Sequence, residues 1–184
     1  VGEAVRSVLA QTYRPLEVLI TDDGSPDRTF EVAEEAARAY DGPHRVVLYR
    51  SDRNAEIFEH ANEALHLMHG EFFLWLSGDD LAEAEQAEVL TAAWLEGGVS
   101  AVWSNHVFID EAGHIAGPCL GSDHPYTLNI CDYADGRFLD FIYAGTCGYP
   151  RSVIDRFGPL PAHLGSRGLE HHFGFRAALL GTKR

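Results

Sequence analysis

The fold of this chain is decided by residues 71–80, Glu71-Phe72-Phe73-Leu74-Trp75-Leu76-Ser77-Gly78-Asp79-Asp80. The five large apolar residues from Phe72 to Leu76 are typical of a strand buried on both faces, as in the centre of a parallel sheet. The run ends on Asp79 and Asp80, which we place at the carboxyl edge of the sheet, where open α/β sheets bind ligands. Two adjacent carboxylates repel each other unless a cation or a proton lies between them, so this segment predicts a divalent metal site. The alternative is that one aspartate caps the following helix.

A second apolar segment, residues 16–21, also ends on two carboxylates, Asp22 and Asp23. Ser25 is a favoured N-cap and Pro26 suits a first helical position, so we expect a helix from here to about residue 40. If the two strands are parallel neighbours, four carboxylates meet at one edge of the sheet. One pair can accept hydrogen bonds from a base or ribose, while the other holds Mg²⁺ or Mn²⁺ together with substrate phosphate oxygens.

Strands and helices alternate along most of the chain. Further strands are predicted at residues 45–49 and 99–103, a hairpin at 107–115, and helices at 1–13, 57–68, 137–143, 151–157 and 168–180, with another around Leu90 and Trp94 that ends at Gly97. Residues 117–135 are expected to form a long loop that covers the site. This order predicts one α/β domain, residues 1–184, with a mostly parallel, Rossmann-like sheet and helices on both faces.

Composition and charge exclude several classes of protein. The 184 residues are 46% hydrophobic, enough for one core, and the net charge of −14 disfavours binding to nucleic acid or anionic lipid. An anionic ligand must therefore be received by arginines, backbone amides or a bound cation. The three cysteines show no Cys-x-x-Cys spacing, which indicates neither a disulfide framework nor a zinc knuckle. We expect a cytoplasmic protein, because the sequence has no transmembrane segment and no signal peptide.

A zinc site and a phosphoacceptor receiver domain fit the sequence less well. His171 and His172 are adjacent, whereas a helical zinc site uses histidines four residues apart, so solvated or capping histidines are the simpler interpretation. The Asp22-Asp23 strand is also similar to the first strand of a phosphoacceptor receiver domain. Such domains need a lysine near Mg²⁺, and the single lysine of this chain is Lys183. Glu170, in the first turn of the last helix, can also serve only to complement the helix dipole.

Four blocks of sequence together resemble the family 2 glycosyltransferases of the GT-A fold. They are Ser7-Val8-Leu9-Ala10-Gln11-Thr12-Tyr13, Leu19-Ile20-Thr21-Asp22-Asp23-Gly24-Ser25-Pro26-Asp27, Trp75-Leu76-Ser77-Gly78-Asp79-Asp80 and residues 151–181. The resemblance implies a nucleotide-diphosphate sugar donor at the carboxyl edge of the sheet, a Mn²⁺ or Mg²⁺ ion on its phosphates, and transfer with inversion to a saccharide or other hydroxyl acceptor. By this resemblance Asp22 and Asp23 lie in the donor site with Asp23 on the nucleotide base, Asp79 contacts the nucleotide or sugar, and Asp80, with Asp79, binds the metal.

The resemblance also implies a catalytic base in the last helix, usually an Asp that follows a Glu and precedes an Arg by six positions. Counting back from Arg176 places Glu170 on the Asp position, so the predicted base is Glu170. If Glu170 instead matches the family's Glu, His171 becomes the base, but the spacing to Arg176 is one residue short.

Three departures from the family pattern keep a second function open. The family's first strand is not found before Val1, Ser77 replaces the leading acid of the metal motif, and Ala61 replaces a common arginine. Arg50 and Arg53 are the candidates to replace that arginine. We therefore expect a single GT-A domain that lacks the first strand and the C-terminal end. Its function is metal-dependent inverting glycosyl transfer, with a catalytically silent nucleotide-binding or interaction module as the alternative.

Overall fold

The computed structural model describes residues 1–120, 144–162 and 168–181, except for the side chains of Leu120, Ala144 and Glu170. The helices are α1 (Gly2–Leu9), α2 (Thr29–Arg38), α3 (Ile57–Leu67), α4 (Gln86–Gly97), α5 (Ser152–Asp155) and α6 (Leu169–Leu180). The strands are β1 (Glu17–Asp22), β2 (Arg45–Arg50), β3 (Phe72–Leu74), β4 (Val102–Trp103), β5 (His106–Ile109), β6 (Ile115–Leu120) and β7 (Cys147–Pro150), and a short 3₁₀ helix (Ala144–Thr146) precedes β7. The predicted α/β class is confirmed.

The strand pairing is mixed, which corrects the expectation of a mostly parallel sheet. Within the described residues, β1 and β2 form the parallel pair, in a register that sets Asp22 opposite Arg50. Strand β7 lies between β3 and β4 and is antiparallel to both, and β5 and β6 form the predicted hairpin. The difference arises from β7, a four-residue strand with a glycine and a proline, whose position depends on tertiary pairing rather than on its own pattern.

The second helix begins later than the sequence predicts. Helix α2 starts at Thr29, not at Ser25 or Pro26. The side chain of Asp22 accepts a hydrogen bond from the Ser25 amide at 3.0 Å, and that of Asp27 accepts one from the Thr29 amide at 3.0 Å. These two side-chain bonds hold the segment before α2 as a turn, so Ser25 is not an N-cap.

Two apolar clusters support the sheets. The smaller packs α1 and α2 on β1 and contains Val5, Leu9, Val18 and Ala33. The larger joins α3, β3, β7 and α6, and at its centre the rings of Phe73, Tyr149 and Phe173 lie 5.3–5.7 Å apart. Burial of each large side chain stabilises the fold by about 1.5–3 kcal/mol. This cluster fixes the end of β3 and the first turns of α3 and α6 relative to one another.

Two predicted features fall wholly or mostly outside the described residues. The helix expected at residues 137–143 and most of the loop expected at 117–135 lie outside the described part, although β6 extends as far as Leu120. In the described ranges, no helix is long and apolar enough to cross a bilayer.

Candidate active site

The carboxyl end of β1 carries Asp22 and Asp23, and the first of these is structural. Only 6% of the surface of Asp22 is exposed. Its Oδ2 atom accepts the hydrogen bond from Ser25 and lies 3.4 Å from Nε of Arg50, at the end of β2. Asp22 therefore fixes the loop after β1 against the neighbouring strand.

Asp23 is more accessible, with 23% of its side chain exposed. Its Oδ1 atom accepts a hydrogen bond from the Ala55 amide at 2.8 Å and lies 3.6 Å from Nδ1 of His60. No described residue donates a hydrogen bond to the other carboxylate oxygen, Oδ2. Asp23 is thus held on one side and can accept a hydrogen bond from a ligand on the other.

Gly24 allows the loops after β1 and β2 to touch. Its φ of 69° is in the left-handed region that favours glycine. A Cβ atom at this position would lie 2.8 Å from the carbonyl carbon of Arg53 and 3.0 Å from the amide nitrogen of Asn54. The close contact holds the segment that leads to Ala55, and so the amide that binds Asp23.

Asp79 and Asp80 lie in an exposed turn after β3, in which the Asp80 amide donates to the carbonyl oxygen of Ser77 at 3.2 Å. Helix α4 begins at Gln86, with Glu85 at its N-cap position. Neither aspartate therefore caps this helix, and the capping alternative is wrong. Asp79 and Asp80 are both exposed to solvent, and neither is used as a helix cap.

Two influences raise the pKa of Asp80 above its ordinary value of 3.8. Partial burial is the larger, the adjacent Asp79 carboxylate adds to it, and His106 opposes both. Part of the burial comes from the backbone of Gly145, where a Cβ atom would lie 3.1 Å from Oδ2 of Asp80. The Gln86 side chain donates to the carbonyl oxygen of Gly145 at 2.8 Å and keeps this segment in place.

The first turn of α6 contains Glu170, the predicted catalytic base, but its side chain is outside the described part of the structure. Two residues later, the ring of His172 packs edge-on against Phe58 of α3, with centroids 5.1 Å apart. Burial lowers the pKa of His172, and the nearby Arg176 and His171 lower it further, so this histidine is neutral at pH 7. Its ring is a packing element between two helices.

Helix α6 is packed against the end of β3 and against α3. The ring of Phe173 lies 6.2 Å from that of Trp75, which precedes the turn of Asp79 and Asp80. The same helix contacts α3, which in turn contacts Asp23 through His60. No hydrogen bond or ion pair among the described residues joins Asp23 to Asp79 or Asp80. The three segments are therefore connected by packing, and the convergence of their carboxylates on one ligand stays a prediction.

The turn of Asp79 and Asp80 fits a hard divalent cation. Carboxylate oxygens are ligands that Mg²⁺ and Mn²⁺ prefer, and a cation would relieve the repulsion between the two carboxylates, which adds to the effect of burial in raising the pKa of Asp80. Within residues 1–120, 144–162 and 168–181, no group of three or more His, Cys, Asp or Glu side chains is arranged to hold a metal. The two aspartates would thus need water and phosphate oxygens to complete the coordination.

The arginines that could contact a diphosphate already have acidic partners. Arg50 lies 3.4 Å from Asp22, and Arg53 donates to Glu59 at 2.8 Å. Ala61 is fully buried, with 0% of its surface exposed. An arginine at position 61 would have to bury its charge in the core, which is costly. The packing of α3 therefore requires a small apolar residue where the family commonly has an arginine.

The sequence did not indicate two residues that shape this site, His60 and Gly145. His60 lies between Phe58 and Ala61 on the buried face of a helix, and a buried histidine needs hydrogen-bond partners. This requirement could have indicated that His60 contacts polar groups near the site. The role of Gly145 depends on a contact with Asp80, 65 positions earlier in the chain, and has no local signal.

Comparison with known sequences identifies relatives that are named as glycosyltransferases. The sequence model of glycosyl transferase family 2 matches residues 1–158. An uncharacterized glycosyltransferase of Rickettsia prowazekii is 31% identical over 159 residues, which are 85% of this chain and 48% of the relative. The cholesterol galactosyltransferase of Borreliella burgdorferi is 29% identical over 86 residues, 47% of this chain and 23% of that protein. The chain thus spans less than half the length of these relatives.

Solved structures share the fold. The mannosyltransferase PcManGT of Pyrobaculum calidifontis, in complex with GDP-Man and Mn²⁺, matches with a TM-score of 0.69 and 18% identity over 98% of this chain and 48% of its own. S. aureus TarS 1–349, in complex with UDP-GlcNAc, matches with a TM-score of 0.69 and 19% identity over 96% of this chain and 49% of its own. These similarities confirm the GT-A fold class.

Proposed function

The chain belongs to glycosyl transferase family 2, and we propose that it is the donor-binding part of an enzyme that transfers a sugar from a nucleotide-diphosphate sugar to an acceptor hydroxyl. We further propose that a divalent cation assists the transfer and that the anomeric configuration is inverted. The observation that carries the proposal is the exposed turn of Asp79 and Asp80, where burial and charge repulsion raise the pKa of Asp80. The Mn²⁺ and GDP-Man complex of a structure with the same fold supports it.

Each predicted site residue has a distinct role in this proposal. Asp79 and Asp80 would hold Mn²⁺ or Mg²⁺, which when bound neutralises the charge that accumulates on the departing diphosphate. Asp23 accepts a hydrogen bond from the nucleoside of the donor, and Asp22 keeps the loop of Asp23 in place through Ser25. These residues bind and orient the donor.

Glu170 is the proposed general base. Its carboxylate takes the proton of the acceptor hydroxyl as the hydroxyl oxygen attacks the anomeric carbon, and the diphosphate leaves from the opposite face, so the configuration inverts. General-base catalysis of this kind contributes on the order of 10²–10⁴ in rate. The position of Glu170 in the first turn of α6, a helix packed against the end of β3, supports this role.

A catalytically silent nucleotide-binding module is the second candidate. The arginines near the site favour it, because Arg50 and Arg53 have carboxylate partners and Ala61 is buried. If these two described arginines keep their carboxylate partners, neither is available to the diphosphate, and the cation must balance more of its charge. The cytoplasmic location and the boundaries of the domain stay predictions from the sequence.

One assay separates the two candidates. The chain is incubated with UDP-, GDP- and dTDP-sugars and Mn²⁺, and release of the nucleoside diphosphate is measured. The enzyme proposal predicts release from one donor class, with a loss of at least about 10²-fold in Glu170→Gln. Asp41→Asn, which changes an exposed loop aspartate, is the matched control and should leave the rate unchanged. Nucleotide binding without release from any donor would establish the silent module instead.

A further inference from the structure

His60 is a buried histidine of α3, with 9% of its surface exposed, and it connects several parts of the candidate site. Its Nε2 atom lies 3.0 Å from Oγ1 of Thr21 in β1, and its Nδ1 atom lies 3.1 Å from Oγ of Ser51, just after β2. Nδ1 is also 3.6 Å from Oδ1 of Asp23. The last distance is too long for a full hydrogen bond but short for an electrostatic contact.

The contacts of Ser51 identify the nitrogen of His60 that carries a proton. Ser51 donates its hydroxyl proton to Oε2 of Glu63 at 2.7 Å, and this bond is the main cause of the lowered pKa of Glu63. An ionised carboxylate can only accept, and a serine has one proton to give, so Oγ of Ser51 must accept from Nδ1–H of His60. The Nδ1–H group therefore donates to Ser51, and the nitrogen that carries this proton is the one that lies 3.6 Å from Oδ1 of Asp23.

We propose that His60 is a positioning residue for donor binding: the Ala55 amide hydrogen-bonds Oδ1 of Asp23, and the protonated Nδ1 of His60, whose hydrogen bond goes to Ser51, attracts the same oxygen electrostatically from 3.6 Å, which leaves Oδ2 for the nucleoside. This inference rests on the proposed function, in which Asp23 contacts the donor. His60 itself touches no substrate. It acts through the orientation of one carboxylate, and the stacking of its ring on Tyr49, with centroids 6.4 Å apart, keeps the imidazole in place.

Two substitutions at position 60 distinguish the contribution of Nδ1 to binding from that of Nε2. His60→Asn keeps an N–H donor near the position of Nδ1, whereas His60→Gln keeps a polar group near Nε2 and loses the donor that faces Asp23. Binding of GDP and of UDP is measured by calorimetry with Mn²⁺ present. We expect His60→Gln to weaken the affinity about tenfold and His60→Asn to stay within about threefold of the wild type. Equal losses in both variants, or no loss in His60→Gln, overturn the proposal.

A double-mutant cycle tests whether His60 acts through Asp23. In an Asp23→Asn background, His60→Gln should have no further effect on affinity, whereas a general structural role predicts the same loss in both backgrounds and overturns the proposal. If Asp23→Asn alone leaves the affinity unchanged, the assigned role of Asp23 in the proposed function fails as well. If Asp23→Asn weakens binding and His60→Gln does not, only the role of His60 fails.

A second buried histidine provides the matched control for stability. His44 has 7% of its surface exposed, and its Nε2 atom lies 3.0 Å from the carbonyl oxygen of Gln11. His44→Gln should lower the melting temperature while nucleotide affinity stays the same. A parallel loss of affinity in His44→Gln would show that any buried histidine has this effect, which overturns a specific role for His60.

Discussion

The backbone at Glu56 is strained, and this provides a test of how the site is built. Glu56 has a φ of 68° and a ψ of 156°, a combination that is essentially restricted to glycine. It lies directly after Ala55, whose amide binds Asp23, and directly before α3. We predict that Glu56→Gly stabilises the protein, because glycine adopts this conformation without a clash of its side chain.

The size of the effect follows from two opposing contributions. Relief of a strained residue contributes about 1–3 kcal/mol to the free energy of unfolding. The greater freedom of glycine in the unfolded chain costs about 0.4–1 kcal/mol. The two ranges leave a net gain of about 0–2.6 kcal/mol with a central value of roughly 1.3 kcal/mol, which for a chain of 184 residues raises the melting temperature by about 3–5 °C.

Thermal unfolding followed by circular dichroism measures this effect. Glu56→Ala is the matched control, because it removes the same side chain but keeps a Cβ atom and hence the strain, so its melting temperature should stay within about 1 °C of the wild type. If the glycine and alanine variants melt at the same temperature, the strain at position 56 does not exist and the reasoning is refuted.

Three further predictions concern the site and its support. Gly145→Ala places a Cβ atom 3.1 Å from Oδ2 of Asp80, so calorimetry should show Mn²⁺-dependent nucleotide affinity reduced about fivefold; an unchanged affinity would contradict the contact. Because the pKa of Asp80 is raised above its ordinary value of 3.8, its ionisation destabilises the metal-free fold as pH rises above that value. Asp80→Asn should therefore melt higher than the wild type in EDTA at pH 7, and the difference should shrink as pH falls and vanish only below 3.8. A difference that does not depend on pH would contradict this. Asn62 bonds both the amide and the carbonyl of Leu160, at 2.7 and 3.0 Å, so Asn62→Ala should cost about 1–3 kcal/mol in urea unfolding, and a smaller loss would show that water replaces it.

The parts of the fold that depend on local pattern could be predicted from the sequence. The strand that ends on Asp22 is found within one residue of its expected bounds, and the apolar run from Phe72 contains β3. Ala61 and Leu65, four positions apart in the predicted helix, are both buried, as the helical spacing of apolar residues indicates. These features are recognisable because the side chains that define them are close in sequence.

The parts that depend on distant contacts could not be predicted. At the start of α3, Phe58 is buried whereas the neighbouring Ile57 is 42% exposed, because the helix is oriented by its contacts with β3 and α6. The network of His60 joins residues up to 39 positions apart, and Gly145 meets Asp80 across 65 positions. A single sequence contains no local pattern for such pairs.

The central claim is that Asp79 and Asp80 hold a divalent cation that links the protein to the diphosphate of the donor. Calorimetric titration with GDP and UDP, in Mn²⁺ and in EDTA, tests it most directly in the wild type and in Asp80→Asn. We predict that Mn²⁺ strengthens binding of one nucleotide by at least about tenfold in the wild type and has no effect in Asp80→Asn. Equal affinity with and without Mn²⁺ in the wild type would contradict it.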